Sequence, residues 1–272
     1  MERKTDAIVL RATEYKDADK ILTLLTPFEG KITAGIKGVK KAGAKLAFAA
    51  QPFSFCEYVL TEKNGRNTVV SAYLHDGFFS IRTDFLRFYA ACAVTEICEA
   101  LCAEGAENQG LFVAAAEALR SLAYAEERGE TCGEALCIFL LAALFESGYM
   151  IDLNDCDVCG AEILGTRCYF DFSAGRFLCE HCGGKSADKA IARASACTYR
   201  FLRRCAGDVT KAEENGGRET ANGVEEGEIR ALRLLKAYLI KKTEREYPCF
   251  TEFCRLNETE AERGNTAASA GE

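Results

Sequence analysis

The chain has 272 residues, 49% of them hydrophobic and 28% charged, with a net charge of −7. That length supports two or three modules with their own cores, and the composition is that of a globular chain rather than a disordered one. The N-terminal Met1-Glu2-Arg3-Lys4-Thr5-Asp6 lacks the apolar run of a signal peptide, and the longest apolar run, 135–145, has eleven residues where a bilayer span takes roughly 20. A buried core helix and a cytoplasmic protein are the expectation.

Residues 1–80 read as β structure. Apolar or β-branched runs fall at 7–10, 21–25, 31–36, 53–61 and 68–74, separated by turn signals such as Lys16-Asp17-Ala18-Asp19, Pro27-Phe28-Glu29-Gly30 and Asn64-Gly65. Asn-Gly between two such runs is a strong hairpin signal. Five short strands suit a small closed barrel, and the OB-fold is the common solution, with an SH3-like barrel as the other. Residues 82–148 turn helical, with candidate helices at 84–103, 109–127 and 131–147 rich in Ala, Leu, Glu and Phe. Short links between them imply a bundle. After a cysteine-rich stretch, 189–205 and 226–246 read as two further helices. The stretch 207–227 carries several glycines and acids without apolar periodicity and reads as a flexible insertion. Residues 257–272 read as a polar, unstructured tail. The expected class is α+β: an OB-like barrel over 1–80, a helical bundle over 81–151, an inserted metal module over 152–184 and returning helices over 185–256.

Fifteen cysteines would be unusual as a disulfide framework in a cytoplasmic chain, where thiols stay reduced. Four sit at diagnostic spacing: Cys156 and Cys159, then nineteen residues, then Cys179 and Cys182. Two Cys-x-x-Cys pairs joined by a hairpin bring four thiolates into a tetrahedron, the arrangement of a zinc site. Four protein ligands close the shell, so the ion is expected to be structural, supplying folding energy that so small a module lacks. His181 and Cys168 lie nearby but break the paired spacing. Others, such as Cys92, Cys98 and Cys102, sit at helical spacing among alanines and read as core filler.

The acids concentrate late in the chain, whereas residues 1–80 hold twelve Lys/Arg against nine Asp/Glu. Lys31, Lys37, Lys40, Lys41 and Lys45 fall within fifteen residues that contain no acid. A mobile, glycine-containing lysine loop beside a barrel can follow a phosphate backbone without reading sequence; alternatively it is a solvated loop. Arg11, Lys63 and Arg66 extend the same patch. Phe53, Phe55, Tyr58 and Tyr73 could stack on bases, although their alternation in strands marks most of them as core. A basic helical face of Arg200, Arg203 and Arg204, near Arg193, Lys236, Lys241 and Lys242, is a weaker candidate. No phosphate-binding loop, metalloprotease motif or nucleophile elbow occurs, and His75 reads as a surface residue at a strand end. No catalytic residues, and hence no enzyme, are expected.

The order of these parts, and local strings within them, resemble the RecO family. Ala7-Ile8-Val9-Leu10-Arg11, residues 15–26 followed by Gly30-Lys31, Ile36-Lys37-Gly38-Val39 and Gln51-Pro52-Phe53 are similar to its N-terminal pattern. Ser173-Ala174-Gly175 before Leu178-Cys179 and Cys182 is similar to its zinc hairpin, and 237–246 with 250–256 to its closing helix. The resemblance covers most of 5–256; 207–227 and the tail look like additions. It implies a mediator of recombination that binds single- and double-stranded DNA and promotes annealing. It also implies action with RecR, and in some members RecF, and the loading of RecA onto DNA covered by single-strand binding protein. Two rival readings are a zinc-ribbon accessory factor of transcription or translation with an OB module, and an enzyme whose cysteine module is catalytic.

Overall fold

The computed structural model describes residues 2–163, 167–207 and 221–269. The chain divides into two units, Met1–Cys132 and Gly133–Glu272.

The first unit begins with five strands: β1 (Glu2–Tyr15), β2 (Asp19–Thr26), β3 (Gly30–Ile36), β4 (Phe55–Lys63) and β5 (Arg66–Asp76). They close into a barrel in the order β1-β2-β3-β5-β4, the topology of an OB-like fold. Closure depends on the length of β1. Residues Glu2–Ile8 pair with β4, and Ile8–Tyr15 pair with β2, with a register shift between Val9 and Arg11. Such an irregularity bends a strand and increases its twist, which lets one strand serve two neighbours. Alternation then sends Ala7, Val9, Leu22, Leu24, Ile32, Ala34, Cys56, Tyr58 and Leu60 into the core. The Tyr58 hydroxyl, fully buried, donates to Ala49 O at 2.7 Å, so its polar end is satisfied inside the barrel. The Asn64-Gly65 turn forms as its sequence demands, both residues at positive φ and Lys63 paired with Arg66.

Three helices complete this unit: α1 (Phe85–Leu101), α2 (Gln109–Ala123) and the short α3 (Ala125–Arg128). Asp84 caps α1 by accepting from Arg87 N, and Asn108 caps α2 by accepting from Leu111 N. The third long helix of the expected bundle, α4 (Cys132–Glu146), falls almost wholly in the second unit. Its apolar run is buried at Ala135, Leu136, Cys137, Phe139, Leu140, Ala143 and Leu144. Among the described residues no helix is long and apolar enough to cross a membrane.

The second unit continues with β6 (Arg167–Asp171), β7 (Arg176–Cys179), α5 (Glu180–Gly184), β8 (Ile191–Ser195), α6 (Ala196–Cys205), α7 (Ala221–Thr243) and α8 (Pro248–Ser269). Its sheet is antiparallel in the order β7-β6-β8. The turn expected at 173–175 joins β6 to β7: Asp171 Oδ1 accepts from Ser173 N and Ala174 N, and Gly175 takes positive φ. Phe170, Phe177, Tyr199 and Tyr238 form one aromatic cluster with centroids 4.9 to 5.5 Å apart, which ties the hairpin to α6 and α7.

Three sequence expectations need correction. Residues 191–195 form a strand rather than the start of a helix over 189–205, because β6 offers a second edge and pairing with it outweighs the helix preference of Ala and Arg. Ser195 then starts α6, its Oγ accepting from Cys197 N at 3.3 Å. The flexible insertion expected over 207–227 lies mostly outside the described residues, but 221–227 are the first turns of α7. The tail expected to be unstructured from 257 runs on as α8 through Ser269, carried by the Glu, Ala and Arg of 258–263 past Gly264.

The turn between β2 and β3 admits only glycine at its last position. Gly30 has φ +60, and a Cβ there would stand 2.2 Å from Ala106 O and 2.6 Å from Ala103 O. Gly43 has φ +72 but open space around it. Gly30→Ala is therefore expected to cost roughly 3 kcal/mol, against about 1 for Gly43→Ala, from backbone strain and carbonyl clash. Urea unfolding of the full chain measures both, and equal losses would contradict this placement.

Candidate nucleic-acid interface and metal centre

The lysine stretch is the connection leaving β3, and it is held rather than mobile. Gly38 N donates to Asp19 Oδ1 at 2.9 Å, and Lys40 N donates to Ala18 O at 3.1 Å. Val39 packs into the barrel core, and successive turns at Lys41, Ala44 and Ala47 carry the chain onward. The connection thus lies against the β1–β2 turn. Lys37, Lys40 and Lys41 gather there with two that the sequence reading passed over, Lys16 and Lys20. Lys20 pairs with Glu14 across β1–β2 and with Ile36 across β2–β3, one residue before Lys37. Lys16 lies 5.2 Å over the ring of Tyr15, itself exposed. The signal for both was the hairpin turn, which returns the chain to the same end of the sheet as the loop.

Lys37, Lys41 and Lys45 are exposed and make no ion pair among the described residues. Lys40 donates to Glu14 Oε2 at 2.9 Å. That hydrogen bond and the Lys40 charge, with Lys20 adding to them, hold the Glu14 carboxyl below the usual carboxylate range. The other predicted residues are placed elsewhere. Lys31 Nζ donates to Glu99 O at 2.7 Å, and Arg11 pairs with the Glu99 carboxylate at 2.7 Å, so both are engaged with α1. Lys63 and Arg66 flank the β4–β5 hairpin tip, which stands beside the middle of β3 through the Ala34–Asn67 pairing. Of the aromatics, Phe53 and Tyr58 are buried in core positions and Phe55 is half-buried, while Tyr73 is 68% exposed. His75 is a surface residue on β5, bonded to Asp6 at 2.8 Å.

The weaker basic helical face disperses into contacts within the unit. Arg203 and Arg204 lie over Tyr199 and Phe201, Arg204 approaches Glu134 at 3.6 Å, and Arg200 donates to Cys197 Sγ. Lys241 and Lys242 donate to Ser173, and Lys236 donates to Thr251.

The four paired cysteines converge. The Sγ atoms of Cys156, Cys159, Cys179 and Cys182 all lie within 4.8 Å of one another, and Cys159 and Cys179 are 3.8 Å apart. A tetrahedron with metal–sulfur bonds of about 2.3 Å has edges of about 3.8 Å. Local backbone prepares both pairs. Gly160, at positive φ, donates to Cys156 O, and Cys179 caps α5 by accepting at Sγ from Cys182 N. Burial raises the Cys156 thiol, but N–H groups of Cys179, Cys159 and Val158 donate towards it and bring it down to about 6. The hydrogen bond with Cys159 pushes Cys182 up to about 12. Four sulfurs this close resist carrying four charges unless a cation lies among them. The residues fit a metal ion, which would be held by these four thiolates. His181 instead lies 3.0 Å from Lys185 Nζ, and Cys168 is buried in β6, outside the cluster. Among the described residues this is the sole cluster of three or more potential metal ligands.

A five-stranded OB-like barrel with a lysine-rich flank, followed by a unit that carries a four-thiol cluster able to hold a metal, defines a two-unit protein of the OB-barrel class. The family model described as "Recombination protein O N terminal" matches residues 1–78, and "Recombination protein O C terminal" matches 82–245. The chain is 35% identical over 200 residues to a DNA repair protein RecO of Desulforamulus reducens, covering 74% of this chain and 75% of that one. It is 32% identical over 190 residues to the one from Myxococcus xanthus, covering 69% and 76%. A Bacillus pumilus relative of the same name is 30% identical over 187 residues, covering 68% and 70%. The chain belongs to the RecO family of DNA repair proteins.

Cys156 is the buried corner of the four-thiol cluster and Cys159 the exposed one. Cys156→Ala is expected to abolish stoichiometric metal binding and to destabilise the second unit, with a lowered melting temperature. Metal content by plasma mass spectrometry and calorimetry of the same samples measure both. A variant with full metal content would contradict the four-sulfur assignment.

Proposed function

We propose that the protein is a recombination mediator in DNA repair that acts without catalytic chemistry, by neutralising phosphates. Residues 1–80 are the DNA-binding module, and the observation that carries this reading is the connection after β3. It presents Lys37, Lys41 and Lys45 free to solvent, with Lys40, Lys20 and Lys16 beside them, on a barrel of the type that binds single strands. Lys31, Arg11, Lys63 and Arg66 lie on the same barrel and extend its field. Such contacts read charge and not sequence, so single- and double-stranded DNA both bind and complementary strands repel one another less on the protein.

The ion at Cys156, Cys159, Cys179 and Cys182 is structural Zn2+ in this reading. Four thiolates suit zinc, and a filled shell leaves no position for a reacting water. Family membership supports a cytoplasmic, nucleoid-associated role with RecR, and in some settings RecF, in loading RecA onto DNA covered by single-strand binding protein.

The test mixes complementary labelled strands with the zinc-loaded protein over a salt series without ATP, with and without single-strand binding protein. ATP-independent annealing that weakens with salt is expected. No annealing by folded, zinc-loaded protein would favour an accessory factor of transcription or translation instead.

Glu14 is the acid that competes for this surface. Glu14→Gln frees Lys40 and removes a charge that repels phosphate, so single-strand affinity is expected to rise about threefold at low salt. The Glu14 carboxyl is held below its ordinary range, so its pairing with Lys40 persists at neutral pH and is lost only as pH falls through that lowered value. Wild type and Glu14→Gln should therefore converge in affinity in acid and differ at pH 7, a comparison that fluorescence anisotropy reads. Equal affinities at pH 7 would remove Glu14 from the interface.

A further inference from the structure

A second basic site lies in the second unit, in residues that neither sequence motif included together. A cavity of about 600 Å³ opens beside β8. Arg167 at the start of β6, Arg193 on β8, and Arg230 and Arg233 on α7 all line it, and no acidic residue is among the described lining residues. Phe172 and Leu234 contribute apolar surface. Four successive residues, 192–195, border the cavity. Arg167 pairs with Ser195 across β6–β8, so the cavity reaches over both strands, and the sheet order makes β8 an outer strand with one unpaired edge.

We propose that this groove between β8 and α7 binds a single nucleic-acid strand, separate from the one held by the barrel. The volume is within the range of about 300–1,000 Å³ typical of ligand sites. A guanidinium fork matches two phosphate oxygens at once, which is why arginine predominates where phosphate is recognised. Phe172 and Leu234 provide the apolar surface on which a base face can rest, as in single-strand grooves elsewhere. Three of the arginines have carboxylate partners that do not line the cavity: Arg230 with Glu226, Arg233 with Glu258 at 2.8 Å and Arg167 with Glu180 at 3.6 Å. Every member of these pairs is at least 31% exposed. Solvent-exposed pairs of this kind contribute about 0–1 kcal/mol, so an incoming phosphate displaces them at little cost. The alternating charge and flat apolar surface of a nucleotide chain suits this lining better than an acidic peptide, whose carboxylates leave Phe172 and Leu234 unused. With one strand on the barrel and one in the groove, a single chain holds both partners of an annealing reaction. That role rests on the barrel reading above; binding in the groove does not.

The experiment uses the full zinc-loaded chain and an oligothymidylate carrying 5-iodouracil, cross-linked by light and mapped by mass spectrometry. Anisotropy of a labelled oligothymidylate at low salt accompanies it. The variants are a groove variant (Arg193→Gln with Arg230→Gln), a barrel variant (Lys37, Lys40 and Lys41 each to Gln) and their combination. Cross-links are expected on the peptide that contains Phe172 in wild type and in the barrel variant, and not in the groove variant. The combined variant should bind about tenfold more weakly than the barrel variant. Arg193→Lys with Arg230→Lys, which keeps the charge, should recover affinity to within about threefold of wild type. A barrel variant that binds like wild type while the Phe172 cross-link persists would sink the barrel reading and leave the groove standing. The proposal is overturned by absence of cross-links at Phe172 in wild type, or by a combined variant no weaker than the barrel variant. It is equally overturned if a poly-glutamate peptide binds the groove, and loses binding in the groove variant, while no nucleic acid cross-links there.

Discussion

β1 pairs with β4 through its first half and with β2 through its second, and the position of every charge on the barrel follows from that division. Were the strand to stop after Leu10, the sheet would have two open edges and β2 would keep only its pairing with β3. Because it continues to Tyr15, the β1–β2 turn projects from one end of the barrel. The connection leaving β3 meets that turn through Gly38, Val39 and Lys40. A buried valine, the Gly38 N bond to Asp19 Oδ1 and the Lys40 N bond to Ala18 O thereby fix a loop whose lysines, Lys40 excepted, are unpaired among the described residues. The same constraint explains how a chain of net charge −7 presents a basic surface: the excess acid lies elsewhere in sequence, and the fold collects lysines from β2, the turn and the loop.

The second unit solves a different problem. Its three-stranded sheet needs more than strand pairing, namely an apolar face packed against helices. Two devices add to that pairing. At one end four sulfurs converge, and along the hairpin Phe170 and Phe177 stack against Tyr199 and Tyr238 from two helices. Gly175 allows the second device, since a Cβ there would meet the Tyr238 hydroxyl at 2.3 Å. Four thiols placed to hold a metal ion and an aromatic cluster thus stand at different parts of one hairpin, and β8 is the outer strand on the far side of β6.

Much of this was legible in the sequence where a local rule decides the outcome. Asn64-Gly65 dictated a hairpin, and paired cysteine spacing brought four thiols together. What could not be read depends on partners distant in the chain. Residues 191–195 look helical until β6 supplies an edge to pair with. Lys20 looks like strand punctuation until β3 is laid beside β2. The five lysines are equivalent in sequence, yet the fold ties Lys31 to Glu99 and Lys40 to Glu14 and leaves three free. The arginines of the second groove come from β6, β8 and α7, elements spread over some seventy residues, so no spacing rule could group them.

The central claim is that the loop after β3 binds phosphate, by charge and without reading sequence. It is tested most directly by the salt dependence of single-strand affinity, measured for wild type and for the chain with Lys37, Lys41 and Lys45 changed to Gln. Each phosphate contact on a single strand contributes about 0.7 to the slope of log K against log salt. The account predicts a slope shallower by about 2 in the variant, with the same change for oligonucleotides of different sequence. Parallel slopes, with or without a change in affinity, would contradict it.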